Sequence, residues 1–322
     1  MHLKAKMEQV IGESYQNTTG VVVRRGGRVI YENYWNDSTR DTKNHIFSVT
    51  KSIVSTLIGI ALDKRLIQSV DQKILGFFPE YSVVKGEENI QEITIRDLIT
   101  MTAPYKYEHE DFEAYFSSEN WVNAALDLLG GSPKGVFRYT PIIGPDILCG
   151  ILTQATGKSV LDFAKEELFG PLEIKVDHPI IFKSVEEQLA FYNEKNINGW
   201  VAGLNGVNTA GWGLNLTAID MAKIGQLYLN DGIWQDKQIV SKAWIRESTS
   251  KQSFCEAFQL SYGYLWWIID EAEGSFAAVG DGGNVIYVNA KKDMVIALTS
   301  LFVPNAEDRI QLIKEYIEPA FS

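Results

Sequence analysis

Hydrophobic and polar residues alternate near the start of the chain in a pattern that predicts a β-hairpin. Two β-rich runs, Val21–Arg24 and Arg28–Tyr34, are separated by a pair of glycines at positions 26 and 27. Paired glycines between two such runs are typical of a tight hairpin turn. The stretch before the hairpin, MHLKAKMEQVIGESYQ, has the spacing of an amphipathic helix.

The next long apolar run, HIFSVTKSIVSTLIGIALD, predicts a buried helix that begins near Ser48. From about Gln68 to Trp200 the pattern changes to helices, turns and polar loops, and another helix is predicted for TAIDMAKIGQLYLNDG. β-Patterns return from Tyr262 onward in YGYLWWIID, SFAAVG, NVIYVNA and DMVIALTSL, and a last helix is predicted for AEDRIQLIKEYIEPAF.

Strands near both termini, with helices between them, predict an α+β fold whose sheet is assembled from both ends of the chain. The 322 residues are enough for one large domain or two lobes. We predict a sheet domain formed by residues 1–75 and 205–322, with a mostly helical lobe of residues 76–204 inserted into it.

The charge and composition of the chain limit the kinds of partner that it can bind and indicate the compartment in which it lies. The formal net charge is −11 at pH 7, which argues against nucleic acids and anionic membrane surfaces, since both are bound by basic patches. Cys149 and Cys255 lie far apart without metal or redox spacing, so we expect ordinary thiols. The N-terminal stretch lacks the features of a signal peptide, and no apolar run is long enough to span a bilayer. We therefore expect a cytoplasmic protein.

Lys51 lies near the start of the most apolar helix, three residues after Ser48. Residues three apart share a helix face, so the hydroxyl and the amine can meet. Burial favours the uncharged amine, which is the form that a general base needs. The helix N-terminus adds backbone N–H groups suited to a developing oxyanion. The spacing predicts a nucleophile with its base, and the alternative is a structural serine with a lysine that extends to solvent.

Other candidates for chemistry are weaker. The Ser-x-x-Lys spacing recurs at Ser82/Lys85 and Ser248/Lys251, in polar stretches that indicate solvated surface. There is no Gly-x-Ser-x-Gly, His-Glu-x-x-His, P-loop or dinucleotide fingerprint. The histidines at positions 2, 45, 109 and 178 are expected to be structural or exposed, and no metal site is predicted. Tyr139 precedes a helix and is a candidate to relay a proton to the leaving group, although most tyrosines serve in packing.

Several stretches from about Gly20 to Leu301 follow one another in a specific order. They are FSVTKS; SVDQKILGFFPEY with ITIRDLITMTA; FRYT with LCGILTQATGKSVLDFAKEELFGPLEI; GWGLNLTAIDMAKIGQLYLNDGIWQDKQIVSKAWI with YGYLWW; and GDGGNVIYVNAKKDMVIAL. In this order the chain resembles the serine β-lactamase/penicillin-binding protein superfamily, in its class C β-lactamase-like branch. That branch also holds D-aminopeptidases, esterases and 6-aminohexanoate-dimer hydrolases, and the fourth group is most similar to its esterase and dimer-hydrolase members.

The resemblance implies an antiparallel sheet flanked by helices, a mostly helical second lobe, and a site in the cleft between them. It also implies that Ser48 attacks an acyl carbonyl while Lys51 and Tyr139 share the proton transfers; which of the two is the base stays open. Backbone N–H groups of Ser48 and Asn284 would form the oxyanion hole, and water would release the acyl-enzyme. No cofactor is implied.

Two departures from the family pattern bear on the substrate. Residues 139–141 read Tyr-Thr-Pro rather than Tyr-x-Asn, so an amide side chain is missing. The third motif reads Asp281-Gly282-Gly283, with an acid where β-lactamases and transpeptidases carry Lys or His. An aspartate in a partly desolvated cleft would repel a substrate carboxylate by roughly a few kcal/mol. A one-residue shift of the alignment would instead move Asp281 out of the cleft.

These features predict a cytoplasmic serine hydrolase that cleaves a small ester or amide, neutral or bearing a free amine. Two alternatives stay open: a β-lactamase or DD-peptidase that recognises penicillins, and a non-catalytic binding module of the same fold. The expected partner is a small-molecule substrate, with no nucleic acid and no membrane, and the sequence does not indicate an oligomeric state. Aromatic residues between positions 105 and 205 either line an acyl pocket or pack the lobe, namely Tyr105, Tyr107, Tyr115, Phe116, Trp121 and Trp200.

Overall fold

Strands from both ends of the chain form one sheet in the computed structural model, which describes residues 3–85, 88–107, 112–131, 134–192 and 194–322. The predicted hairpin is present, with its two turn glycines at positive φ. The strands are β1 (Thr18–Arg25), β2 (Arg28–Tyr34), β3 (Asn44–His45), β4 (His178–Ile180), β5 (Gly199–Val201), β6 (Asn215–Leu216), β7 (Ile233–Trp234), β8 (Lys237–Gln238), β9 (Ser253–Cys255), β10 (Leu260–Tyr262), β11 (Trp267–Asp270), β12 (Ser275–Gly280), β13 (Asn284–Asn289) and β14 (Met294–Ser300).

The helices include the apolar one that was predicted to begin near Ser48. Among the described residues, no helix is both long and apolar enough to cross a membrane. The helices are α1 (Leu3–Ser14), α2 (Val49–Asp63), α3 (Ile95–Ile99), α4 (Phe112–Ser117), α5 (Trp121–Asp127), α6 (Ile143–Thr156), α7 (Val160–Ala164), α8 (Val185–Phe191), α9 (Ala218–Leu229), α10 (Lys242–Ser248), α11 (Arg309–Leu312) and α12 (Glu318–Phe321).

The main sheet has the strand order β2-β1-β14-β13-β12-β11-β10-β9, and its neighbouring strands are antiparallel. The antiparallel sheet that was expected is therefore confirmed. Successive residues of a strand point to opposite faces. Val22 accordingly packs in the cluster that contains α2 and α9, whereas Val21 and Val23 pack with α1 and the C-terminal helices. The sheet thus lies between two layers of helices.

Helix α2 links the sheet to the helical middle of the chain, because it contacts β12 and β13 on one side and α6 on the other. One continuous hydrophobic cluster runs from the sheet through α2 into α3, α5, α6 and α7. The division into residues 1–75 with 205–322 and an inserted lobe of residues 76–204 stays a prediction.

Local predictions were wrong at three places near the C-terminus. The stretch YGYLWWIID is not one strand, because the chain turns at Gly263–Trp266, where Leu265 has a φ angle of 61°. Strand β9 had not been predicted. The last helix begins at Arg309 rather than Ala306, because the Asp308 carboxylate accepts from the N–H groups of the first turn and caps it there.

Candidate active site

Ser48 and Lys51 meet at the N-terminal end of α2. Lys51 Nζ lies 2.7 Å from Ser48 Oγ, and Lys51 is only 1% exposed. The alternative in which the amine extends to solvent is therefore wrong. The other two lysines with this spacing, Lys85 and Lys251, are exposed. Ser248, expected on the surface, is buried because it ends α10 with its hydroxyl bonded to the carbonyl of Ile245.

The Ser48 hydroxyl does not cap the helix that it begins. A serine at this position normally accepts from an N–H group of the first turn, yet Ser48 makes no such bond. Its Oγ accepts from Lys51 instead, and it donates to the Gly211 carbonyl at 3.3 Å. The preceding residue, Phe47, has a φ angle of 48°, a conformation that costs a non-glycine residue about 1–3 kcal/mol. The hydroxyl is thus directed towards the amine at some expense of local stability.

Gly211 is a residue of the site that the sequence analysis did not identify. Its carbonyl oxygen accepts from Lys51 Nζ at 3.1 Å and from the Ser48 hydroxyl. A side chain at Gly211 would place a Cβ atom 2.5 Å from the carbonyl oxygen of Pro141, so only glycine fits. The signal available in the sequence was the glycine-rich stretch GWG, which is part of the resemblance to the family.

Tyr139 lies on the other side of the lysine. Lys51 Nζ is 5.1 Å from the centre of its ring, and the ring stacks on Trp267 with centroids 5.7 Å apart. Tyr139 and Ser48 line the same cavity. The structure therefore brings together the three residues that the sequence singled out for proton transfer.

The end of β12 passes directly beside the backbone of Ser48. A Cβ atom on Gly280 would lie 2.3 Å from the carbonyl oxygen of Ile46 and 3.1 Å from the backbone nitrogen of Ser48. The next residue, Asp281, is exposed and lines both cavities that contain Ser48. The structure thus places Asp281 at the wall of the cleft beside Ser48.

The backbone of the turn at residues 281–283 is fixed by the side chain of the next residue and by side chains from distant segments. Its three carbonyl oxygens accept, in order, from Asn284, Asn17 and Ser300, at 2.8, 2.7 and 3.2 Å. The buried guanidinium of Arg309 adds a longer contact of 3.4 Å to the second carbonyl. Gly282 and Gly283 are buried, and both have positive φ angles, 74° and 98°, which glycine adopts without strain.

Asp146 is a second group that the sequence analysis missed. Its carboxylate accepts from the backbone N–H groups of Ala210 and Gly211 at 2.6 and 3.0 Å and from the Tyr115 hydroxyl at 2.9 Å. Burial raises the pKa of Asp146 to about 6, although these hydrogen bonds and the charge of Lys51 act in the opposite direction. An acidic residue early in the helix-forming stretch GPDILCGILTQATG was the only sequence signal.

His45 is buried behind the site as a neutral group, since burial lowers its pKa to about 3. Its Nε2 atom accepts from the backbone N–H of Gly213 at 2.9 Å. His178 is exposed, whereas the predictions for His2 and His109 lie outside the described residues. Within the described ranges, no group of three or more His, Cys, Asp or Glu side chains could hold a metal ion.

Two cavities open on either side of Ser48. The first has a volume of about 520 Å³ and is largely aromatic and aliphatic, with lining residues Phe47, Ser48, Phe112, Pro141, Ile142, Leu189, Tyr192, Gly211, Trp212, Asp281 and Phe302. The second, of about 650 Å³, is lined by Ser48, Tyr139, Pro141, Phe258, Leu260, Trp267, Ile269, Val279, Gly280, Asp281, Asp308 and Ile310. The six aromatic residues considered from the sequence belong to the main hydrophobic core or pack against it, so the rings beside Ser48 are different ones.

Comparison with known proteins agrees with this fold. The beta-lactamase family model matches residues 4–317, and the chain belongs to that family. Among its relatives, the 6-aminohexanoate-dimer hydrolase of Paenarthrobacter ureafaciens is 23% identical over 305 residues, which cover 88% of this chain and 72% of the relative.

Solved structures share the architecture at low identity. A Bacillus anthracis protein provisionally named as a 6-aminohexanoate-dimer hydrolase superimposes with a TM-score of 0.77 at 21% identity, over 97% of this chain and 81% of its own. A penicillin-binding protein homologue from Caulobacter crescentus superimposes with a TM-score of 0.74 at 15% identity, over 99% and 97% of the two chains. The chain therefore has a β-lactamase/transpeptidase-like fold, and its relatives include hydrolases.

Proposed function

We propose that this protein is a cytoplasmic serine hydrolase that cleaves a small ester or amide through an acyl-enzyme on Ser48. The observation that carries the proposal is the contact of 2.7 Å between Ser48 Oγ and the buried Nζ of Lys51. A serine hydroxyl is a weak nucleophile until a neighbouring base accepts its proton. A buried amine at this distance is suited to that task, because its nitrogen can accept the hydroxyl proton directly.

In the proposed reaction Ser48 Oγ attacks the acyl carbonyl of the substrate and gives its proton to Lys51 or Tyr139. The same pair then protonates the leaving group, and water releases the acyl group in a second round of proton transfer. The Gly211 carbonyl accepts from Nζ at 3.1 Å and keeps the amine beside Ser48 in both rounds. The choice between Lys51 and Tyr139 as the base stays open.

The oxyanion hole needs two N–H donors aimed at one point. The first is the N–H of Ser48 at the start of α2. The sequence analysis predicted the backbone N–H of Asn284, four residues beyond Gly280, as the second donor. We propose the N–H of Asp281 as the second donor, because Asp281 directly follows Gly280, the residue that packs against the Ser48 backbone.

The lining of the two cavities favours substrates without a carboxylate near the scissile bond. Asp281 borders both cavities, and its charge repels anions. Neutral esters and amides, or those with a free amine, are the proposed substrates. The kinship with a 6-aminohexanoate-dimer hydrolase supports an amide or ester of modest size, for which cavities of about 520 and 650 Å³ leave room.

The test is the intact mass of the protein after treatment with a fluorophosphonate. We expect one adduct on the wild type and none on Ser48→Ala. The control is Ser82→Ala, which removes the serine of an exposed Ser-x-x-Lys pair and should leave the adduct in place. An unreactive wild type would contradict the proposal and favour the non-catalytic binding module.

A fluorescent penicillin separates the hydrolase from its nearest alternative. The beta-lactamase family match gives a penicillin-recognising enzyme a specific basis. We expect weak labelling of Ser48, because the third motif has no Lys or His to bind the penicillin carboxylate and the Asp281 in its place would repel it. Stable or rapidly turned-over labelling that disappears in Ser48→Ala would establish the β-lactamase or DD-peptidase alternative.

A further inference from the structure

Asp146 links helix α6 to the segment that carries Gly211. One of its carboxylate oxygens accepts from two successive backbone N–H groups, those of Ala210 and Gly211, at 2.6 and 3.0 Å. The other oxygen accepts from the Tyr115 hydroxyl at 2.9 Å. With an exposure of 2%, the carboxylate is held from both sides inside the protein.

This pattern differs from that of an acidic residue that stabilises its own helix. An aspartate in the first turn is commonly found there because it interacts with the helix dipole and with the N–H groups of that turn. The oxygens of Asp146 accept instead from groups on other parts of the chain. The carboxylate therefore fixes the position of the 210–211 backbone relative to α6.

Gly211 is the residue for which such fixing matters most. Glycine has the widest range of backbone conformations, so the direction of its carbonyl needs an external restraint. That carbonyl lies 3.1 Å from Lys51 Nζ and 3.3 Å from Ser48 Oγ. Holding the N–H groups of residues 210 and 211 restrains the backbone on which this acceptor sits. Asp146 thus reaches the Ser48–Lys51 pair through one peptide segment, without touching either side chain.

We propose that Asp146 is a positioning residue for the Ser48–Lys51 pair, which orients the Gly211 carbonyl that accepts from both side chains. The inference rests on the proposed hydrolase function. It concerns a residue that acts through Gly211, and it assigns no contact between Asp146 and substrate.

The experiment measures the rate at which a fluorophosphonate phosphonylates Ser48, with loss of fluoride, at neutral pH. Asp146→Asn keeps the shape of the side chain and an acceptor oxygen, whereas Asp146→Ala removes both. Asp220→Asn is the matched control, because Asp220 is also a buried carboxylate, and it accepts from the backbone N–H of Thr217 rather than from Gly211. Thermal unfolding of every variant is recorded alongside.

We expect Asp146→Ala to lower the rate by about 100-fold, the cost of a misplacement of about 1 Å. Asp146→Asn should restore most of the lost rate, because its amide oxygen can accept from the N–H groups of residues 210 and 211. Asp220→Asn should react at the wild-type rate. If Asp146→Ala does not fold, Asp146→Val, which fills a similar volume without an oxygen, takes its place.

Two results would overturn the inference separately from the hydrolase proposal. A reactive wild type with an Asp146→Asn variant as slow as Asp146→Ala would exclude the role of the acceptor oxygen. A folded Asp146→Ala variant that reacts at the wild-type rate would exclude the positioning role. An unreactive wild type would instead reject the hydrolase proposal, and the inference with it.

Discussion

The amino group of Lys51 is buried at a cost in stability, since a polar group loses its hydration when it leaves water. Lys51 is 1% exposed, and within the described structure its amine bonds to Ser48 Oγ and the Gly211 carbonyl and lies over the Tyr139 ring, with no carboxylate in hydrogen-bond contact. A buried amine that contacts the proposed nucleophile is better explained by chemistry than by packing, because an apolar side chain would fill the space without this cost.

The Lys51→Met substitution should therefore separate activity from stability. Methionine fills similar volume without a polar atom, so the free energy of unfolding should stay within about 1 kcal/mol of the wild type or increase. The rate at which a fluorophosphonate phosphonylates Ser48 should fall by about 10²–10⁴-fold, the contribution of a general base. Urea unfolding and the kinetics of this reaction provide the two measurements, with Lys251→Met as the control. Full activity in Lys51→Met would transfer the role of base to Tyr139.

The raised pKa of Asp146 predicts that the free energy of unfolding depends on pH. Its pKa in the folded protein is about 6, above the ordinary value of 3.8, so between these values the folded state binds the proton more tightly than the unfolded state. The contribution of Asp146 to stability therefore falls as pH rises from about 4 to about 6 and is constant above that range.

Asp146→Asn removes this titration. Relative to the wild type, the variant should gain about 2–3 kcal/mol in the free energy of unfolding on going from pH 4 to pH 7. Chemical denaturation at several pH values measures the difference. A difference between the two proteins that does not vary with pH would show that Asp146 titrates normally.

The elements that meet at the site leave little space between their backbones. Strand β12 ends at Gly280, where a side chain would overlap the carbonyl oxygen of Ile46, 2.3 Å away. A backbone carbonyl cannot move aside as the end of a flexible side chain can. The position of β12 beside the start of α2 therefore depends on the absence of a side chain at this position.

Gly280→Ala should push β12 away from the Ser48 backbone. We expect the acylation rate to fall by about 100-fold and the free energy of unfolding to fall by about 1–3 kcal/mol. Gly76→Ala is the control, since a Cβ atom there would meet nothing within 4 Å. The rate constant and the melting temperature are both measured. An active, stable Gly280→Ala variant would mean that the oxyanion donors do not include the end of β12.

Charge acts across the whole molecule, which carries a net charge of −11. The sequence analysis expected Asp281 to repel a substrate carboxylate by roughly a few kcal/mol, which assumed a desolvated cleft. Asp281 is, however, exposed. Exposed charge pairs contribute about 0.2–1 kcal/mol. The discrimination against anionic substrates by this residue alone is therefore smaller than the sequence analysis assumed.

Matched p-nitrophenyl esters with an ammonium or a carboxylate group on the acyl chain test this effect. The wild type should prefer the cationic ester, and Asp281→Asn should reduce the preference in kcat/KM by about two- to fivefold. The preference should weaken at high salt, which screens exposed charges. Asp236→Asn, at an exposed site outside both cavities, is the control. A ratio that is unchanged in Asp281→Asn would remove Asp281 from substrate selection.

The sequence by itself predicted several of the elements and the proximity of Ser48 and Lys51. Alternation predicted the first hairpin and the last three strands, and a run of apolar residues predicted α2, because side-chain period and local geometry are coupled within one segment. The spacing of Ser48 and Lys51 is likewise local, since one helical turn separates them. These predictions needed no information from distant parts of the chain.

Tertiary structure alone decided what surrounds that pair. Gly211, Asp146 and Gly280 come from three separate segments, and their roles depend on backbone contacts that carry no periodic signal in the sequence. The pairing of β1 with β14, which joins Thr18 to Ser300, also depends on such contacts, and so does the turn at residues 281–283. Contacts between distant backbones form only when the whole chain packs, so the acceptor for Lys51 and the lining of the cleft became visible only in the folded protein.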